Sequence, residues 1–168
     1  VLFNELIKRM FESSLEYEIS IFDNKLCHKL GGGENCILQS PRLLERYRDA
    51  IVSIEYDIFH STYYRLPQGR HGKIVTTVHD YTYEKYRSNI AKWTHSFQKN
   101  RAIKHSDRII CVSESTRRDL IEYSGSSYED RTVVIHNGVS SEYKVLKNII
   151  VKPQIIFVGS RSGYKNFK

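Results

Sequence analysis

Long apolar runs are missing from this chain of 168 residues, and so is the apolar core of a signal peptide. A bilayer span needs about 20 consecutive apolar residues, so any membrane contact is expected to be peripheral. Cysteine is scarce: Cys27, Cys36 and Cys111 are the three. An odd count builds no disulfide framework, and no C-x-x-C or Cys/His spacing marks a zinc site. A reduced, cytoplasmic protein fits that usage. Internal repeats are absent, and the only low-complexity patch is Gly31-Gly32-Gly33. The Cys27–Cys36 segment around it lies far from any strand–helix junction, so it reads as a flexible loop and not as a phosphate loop.

What is present suits one good-sized globular domain: 40% hydrophobic and 27% charged residues. Lys+Arg 26 against Asp+Glu 19 leaves a net charge of +7. That bias favours anionic partners, whether nucleotides, nucleic acid or an acidic membrane surface. The basic residues are spread along predicted helices and no RNA- or DNA-binding motif occurs, so nucleic acid is not the expected partner.

Strand and helix signals alternate. Leu2 to Phe11 has apolar residues at helical spacing. Tyr17 to Phe22 has strand character. Ser40 as N-cap and Pro41 at the first helical position predict a helix through Arg48. Asp57 to His60, Ile74 to Val78, Arg108 to Val112, Thr132 to Ile135 and Ile155 to Val158 are predicted strands. Ser88 to Lys104 predicts a helix with Ile90, Trp93, Phe97 and Arg101 near one face, and Ser113 caps a second helix from Glu114 to Tyr123. Apolar strands separated by helices require crossovers and a parallel sheet, giving an α/β, Rossmann-like fold with flanking helices.

In such sheets ligands bind beyond the carboxyl ends of the strands. The residues there are His60 to Tyr64, His79-Asp80, Ser113-Glu114, His136-Asn137-Gly138 and Gly159 to Asn166. The last is a small cationic loop after an apolar run. Gly159 and Gly163 permit close backbone approach, and Arg161 and Lys165 can meet a phosphate.

Five segments in order, DIFHSTYY, TTVHD, SDRIICVSESTRRDL, TVVIHNGV and IIFVGSRSGYKNF, resemble the family-4 glycosyltransferases of the GT-B fold. Bacterial polysaccharide and lipopolysaccharide mannosyltransferases are the nearest kind. The resemblance runs from about Asp57 to the end. It implies the N-terminal half of a GT-B fold: residues 1–150 as a Rossmann-like acceptor-binding domain lacking its first strand, and residues 151–168 as the start of a nucleotide-sugar donor domain. Both ends are then expected to be cut, and the piece alone is not expected to turn over.

The resemblance also implies site residues. His79 would lie against the donor sugar and stabilise charge as the glycosidic bond breaks. The plainer alternative is a strand-end histidine whose tautomer Asp80 fixes, with Asp80 orienting the loop. Gly159, Arg161 and Lys165 would bind the donor diphosphate, the cations neutralising the leaving group; the alternative is a solvated basic loop. Ser113 is first an N-cap, whose helix start faces the cleft. Asn137-Gly138 is first a turn, and then a cleft lining. His60, Tyr63 and Tyr64 would line the acceptor pocket.

The implied activity is that of a retaining enzyme moving a hexose from a nucleotide-diphosphate sugar to a glycan or lipid-linked saccharide. No cofactor or metal is implied, and the sequence has no DxD-like pair. A basic surface also suits contact with an anionic membrane, at its inner face. The alternatives to an enzyme are a basic α/β nucleic-acid-binding or interaction module.

Overall fold

The computed structural model describes residues 2–14, 16–21, 36–61, 63–86, 90–140, 143–144 and 153–159. It divides into two compact units, Val1–Gly138 and Val139–Lys168.

In the first unit, helix α1 spans Leu2–Phe11, strand β1 Ile19–Ile21 and strand β2 Cys36–Leu38. β1 and β2 pair in parallel, Ile19 opposite Cys36 and Ile21 opposite Leu38. The main sheet holds β3 (Ile58–Ser61), β4 (Lys73–Val78), β5 (Arg108–Cys111) and β6 (Thr132–Val134), adjacent in that order. All three pairings are parallel. Helices α2 (Thr82–Tyr86) and α3 (Ile90–His105) connect β4 to β5, and α4 (Glu114–Ser124) connects β5 to β6. The α/β, parallel-sheet expectation therefore holds.

β4 is the strand best suited to the middle of this sheet. Its β-branched residues Ile74, Thr76, Thr77 and Val78 are buried, as expected for a strand covered on both faces. Its entry is clamped by Asp107, which accepts the Ile74 amide at 2.9 Å and returns its own amide to the Ile74 carbonyl at 2.8 Å. Gly72 lets β4 pass β3: a Cβ there would stand 2.2 Å from the Tyr56 carbonyl oxygen and 2.5 Å from that of Asp57. No side chain fits in that gap. The core beneath the sheet comprises Tyr64, Val78, Tyr81, Ala102, Ile103, Ile109, Cys111 and Leu120. Its thiol is inert: burial pushes Cys111 up to about 11.

Three expectations need correction. Ser40 to Arg48 is not an α-helix; only Glu45–Tyr47 forms a turn of 3₁₀-helix, and Leu44 before it is left-handed at φ 58°. The Arg42 guanidinium grips Glu45 at 2.7 Å and the Asp49 carbonyl at 2.8 Å, and Arg65 also pairs with Glu45. These charge-assisted bonds hold the segment in a compact loop and hold the Glu45 carboxyl down at about 2. Tertiary pairing wins over a favourable cap.

The second correction concerns α3. Trp93 and Phe97 do share a face, but they are 74% and 69% exposed. The buried face carries Lys99, Ala102 and Ile103. The third concerns the second unit. Ile155, Ile156 and Val158 are 101%, 73% and 90% exposed, with no strand formed. An apolar run becomes a strand only beside a neighbour that takes its backbone hydrogen bonds, and the described residues of this unit include none.

Candidate functional site

The carboxyl ends of β4, β5 and β6 are tied together by hydrogen bonds. The Val112 amide reaches the Val78 carbonyl at 3.3 Å, and the Ile135 amide reaches that of Cys111 at 3.0 Å. His136 closes the row, its Nδ1 lying 3.2 Å from the Val112 carbonyl oxygen. His79 follows β4 directly and stands on this edge.

The backbone around His79 is held by side chains from two helices, with the buried Tyr64 hydroxyl beside it. Thr116, in the first turn of α4, donates its hydroxyl to the His79 carbonyl at 3.2 Å. Lys99, from α3, donates to the Asp80 carbonyl at 2.7 Å. Asp80 turns its carboxylate to the Thr82 amide at 2.9 Å, which starts α2. The chain leaves β4 by a turn with little freedom.

Lys99 was invisible to sequence reasoning and is central here. Its side chain is 0% exposed, and its ammonium also pairs with Glu84 at 2.9 Å. Ser96 donates to the other Glu84 oxygen at 2.7 Å. The remaining side of the ammonium rests on the Tyr81 ring, 4.1 Å from its centroid. Burial pulls Lys99 below the usual lysine value, against the Glu84 carboxylate. Burial likewise raises Glu84, but the Lys99 and Ser96 hydrogen bonds outweigh it and leave the carboxyl below its ordinary value. Breaking such a pair by removing one partner costs about 3–5 kcal/mol. The inward face of α3 carries no apolar stripe at helical spacing long enough to mark position 99 as buried.

At His79 and His60 the surroundings favour the uncharged imidazole. Burial holds His79 below its ordinary value of 6.5, with Asp80 opposing the shift. Burial and the neighbouring His79 do the same to His60. His60 sits within β3, its Nε2 2.9 Å from the Thr77 hydroxyl. A neutral imidazole both donates and accepts a hydrogen bond, so this edge can meet hydroxyl groups without adding positive charge.

Tyr63 and Tyr64 part company. Tyr64 is a core residue at 7% exposure, and burial raises its hydroxyl pKa far above the ordinary value. Tyr63 is half-buried; its hydroxyl accepts from Arg46 at 2.8 Å, and its ring meets His95 edge-on. Tyr83 stacks on the same His95 ring at 4.1 Å. Ser113 caps α4 as expected, accepting the Thr116 amide at 3.1 Å. Asn137 and Gly138 are exposed beyond β6. Gly159 lies in the second unit with φ 142°, a conformation that favours glycine. Arg161 and Lys165 lie outside the described residues, as do Cys27 and the glycine triplet. Among the described residues no three His, Cys, Asp or Glu side chains gather closely enough to hold a metal ion.

A protonation test follows. His79 should titrate below 6.5 by NMR, and Asp80→Asn should lower it further, because the carboxylate it removes favours the imidazolium. A base depressed on folding takes up more protons when unfolded, so its contribution to stability declines as pH drops below 6.5. A His79 value at or above 6.5, or one raised by Asp80→Asn, contradicts this electrostatic picture.

A family model for Glycosyltransferase Family 4 matches residues 25–143. That span covers more than half of the chain and takes in β2 to β6 with the His79 turn. No curated protein and no solved structure gave a match. The parallel sheet and the family match agree, and the chain belongs to glycosyltransferase family 4, of GT-B type.

Proposed function

We propose that this glycosyltransferase family 4 chain serves a retaining enzyme that moves a hexose, mannose being the favoured sugar. The donor is a nucleotide-diphosphate sugar, and the acceptor a glycan or lipid-linked saccharide. The observation that carries the reading is His79: a half-buried imidazole whose uncharged form burial favours, at the carboxyl end of β4, on a turn held by Thr116 and Lys99. Ligands of open parallel sheets bind at that end.

In this reading the His79 ring hydrogen-bonds the donor sugar and stabilises charge as the bond from the anomeric carbon to the diphosphate breaks. The electron pair leaves with the diphosphate, where Arg161 and Lys165 neutralise it. The acceptor hydroxyl bonds the anomeric carbon on the face the leaving group vacates, and its proton passes to the departing phosphate oxygen. Gly159 lets the backbone approach the diphosphate. His60 and Tyr63 line the acceptor side, with Ser113, Asn137 and Gly138 at the margin of the cleft. The 1–150 and 151–168 division into acceptor and donor parts belongs to the same proposal.

Full-length protein carrying His79→Ala should lose transfer from nucleotide sugars by roughly a hundredfold or more, the scale for losing one preorganised electrostatic group. Lys165→Ala should behave alike. Rates equal to wild type would remove these roles.

The acceptor is proposed to be reached at an anionic membrane surface. α3 supports this with one outward stripe on which exposed Trp93, Phe97 and Lys104 align. Beside it an open groove of about 470 Å³ is lined by Arg101, Lys104, Tyr123 and Tyr128 among others. Aromatic and basic residues on one helix face suit a headgroup layer. No helix among the described residues is long and apolar enough to cross a membrane. The full-length protein should bind anionic liposomes at low salt and release them as salt rises; failure to bind at low salt would end the membrane proposal.

A further inference from the structure

We propose that Lys99 is a positioning residue for His79: its ammonium, backed by Glu84 and Ser96, fixes the turn that presents the imidazole. The inference rests on His79 being the residue that meets the donor sugar. Lys99 has no exposed surface, so it cannot touch substrate and acts only through the chain it binds.

The hydrogen bonds of the ammonium are fully used. One proton goes to the Asp80 carbonyl at 2.7 Å, one to Glu84 at 2.9 Å, and the third side faces the Tyr81 ring at 4.1 Å. Methionine or leucine would fill the same volume beside Ala102 and Ile103 without burying a charge. What such a side chain cannot do is bond the Asp80 carbonyl. That carbonyl directly follows the residue of interest, and the His79 carbonyl before it is already held by Thr116 at 3.2 Å. Two consecutive peptide planes are thus fixed from two helices, α3 and α4.

Glu84 supplies the second half of the device. It lies on α2, the short helix that begins where the Asp80 carboxylate caps Thr82. Lys99 therefore bridges the turn and the helix that follows it. Tyr81, between them, is buried and anchored to α4 by a 3.1 Å bond to Ser124. Residues 79–84 form a strap fastened to the helices behind the sheet by the His79 and Asp80 carbonyls and by the Tyr81 and Glu84 side chains. A group that meets substrate must be held to within about 0.5 Å, and this strap is the part of the fold that can do so.

The test uses the full-length protein with Lys99→Met and Glu84→Gln combined, so that no lone charge is left buried. Circular dichroism and melting establish that the double variant folds. The expected result is a kcat roughly 10- to 100-fold lower, the range seen when a supporting residue behind a functional group is lost, with KM for the nucleotide sugar unchanged. The His79 ring signal in the NMR spectrum should shift and broaden, while that of exposed His105 stays in place. A folded double variant with wild-type kcat and an unmoved His79 signal overturns the proposal. Should the double variant not fold, Ser96→Ala, which frees one Glu84 oxygen and leaves both charges in place, must shift the His79 signal, and an unmoved signal is equally fatal. The NMR reading is independent of turnover. If His79→Ala leaves transfer intact while the Lys99 variants still move the His79 ring, the fault lies in the reading of the site and not in the positioning.

Discussion

A lysine ammonium with no exposed surface has to satisfy its protons inside the protein or lose its charge. Lys99 satisfies them at the place where β4 hands the chain to the helical layer. Its bonds to the Asp80 carbonyl and to Glu84 join α3, α2 and the end of β4. Remove the charge and the core could still close over the gap. The direction of the His79 turn would then depend on the Thr116 bond, the Asp80–Thr82 cap and the anchoring of Tyr81. The arrangement looks costly as a stability device, since apolar residues of similar volume often do as well. It makes more sense as a means of specifying one conformation.

The surroundings of His79 are consistent with that specification. Burial favours the uncharged forms of His79 and His60, while the net charge of +7 belongs to the chain as a whole. In the proposed reaction a neutral donor–acceptor group beside sugar hydroxyls, with cations reserved for a leaving phosphate, would divide the work by charge. Membership in glycosyltransferase family 4 gives that division a reaction to serve.

Much of the fold was legible because local and tertiary preferences agree there. β4 is a run of β-branched residues that is also buried, and Ser113 is a good N-cap that does cap α4. Where they disagree, sequence reasoning failed for identifiable reasons. Ser40-Pro41 predicts a helix, but Arg42 and Arg65 close on Glu45 and hold a 3₁₀ turn in its place. On α3 the large apolar residues Trp93 and Phe97 face solvent and a lysine faces the core, the reverse of the usual pattern. His79 could be singled out because strand ends are where sheets bind ligands. Lys99 could not, because nothing local marks a lysine whose partners lie 15 and 19 positions away.

Residues 79–82 form a fixed strap and not an open loop, because the His79 and Asp80 carbonyls are tied to α4 and α3 and the Asp80 carboxylate holds the Thr82 amide. Backbone ¹⁵N relaxation tests this. Order parameters at His79 to Thr82 should equal those of β4 and β5, at about 0.85. Values below about 0.6 there, with β4 and β5 still rigid, would refute it.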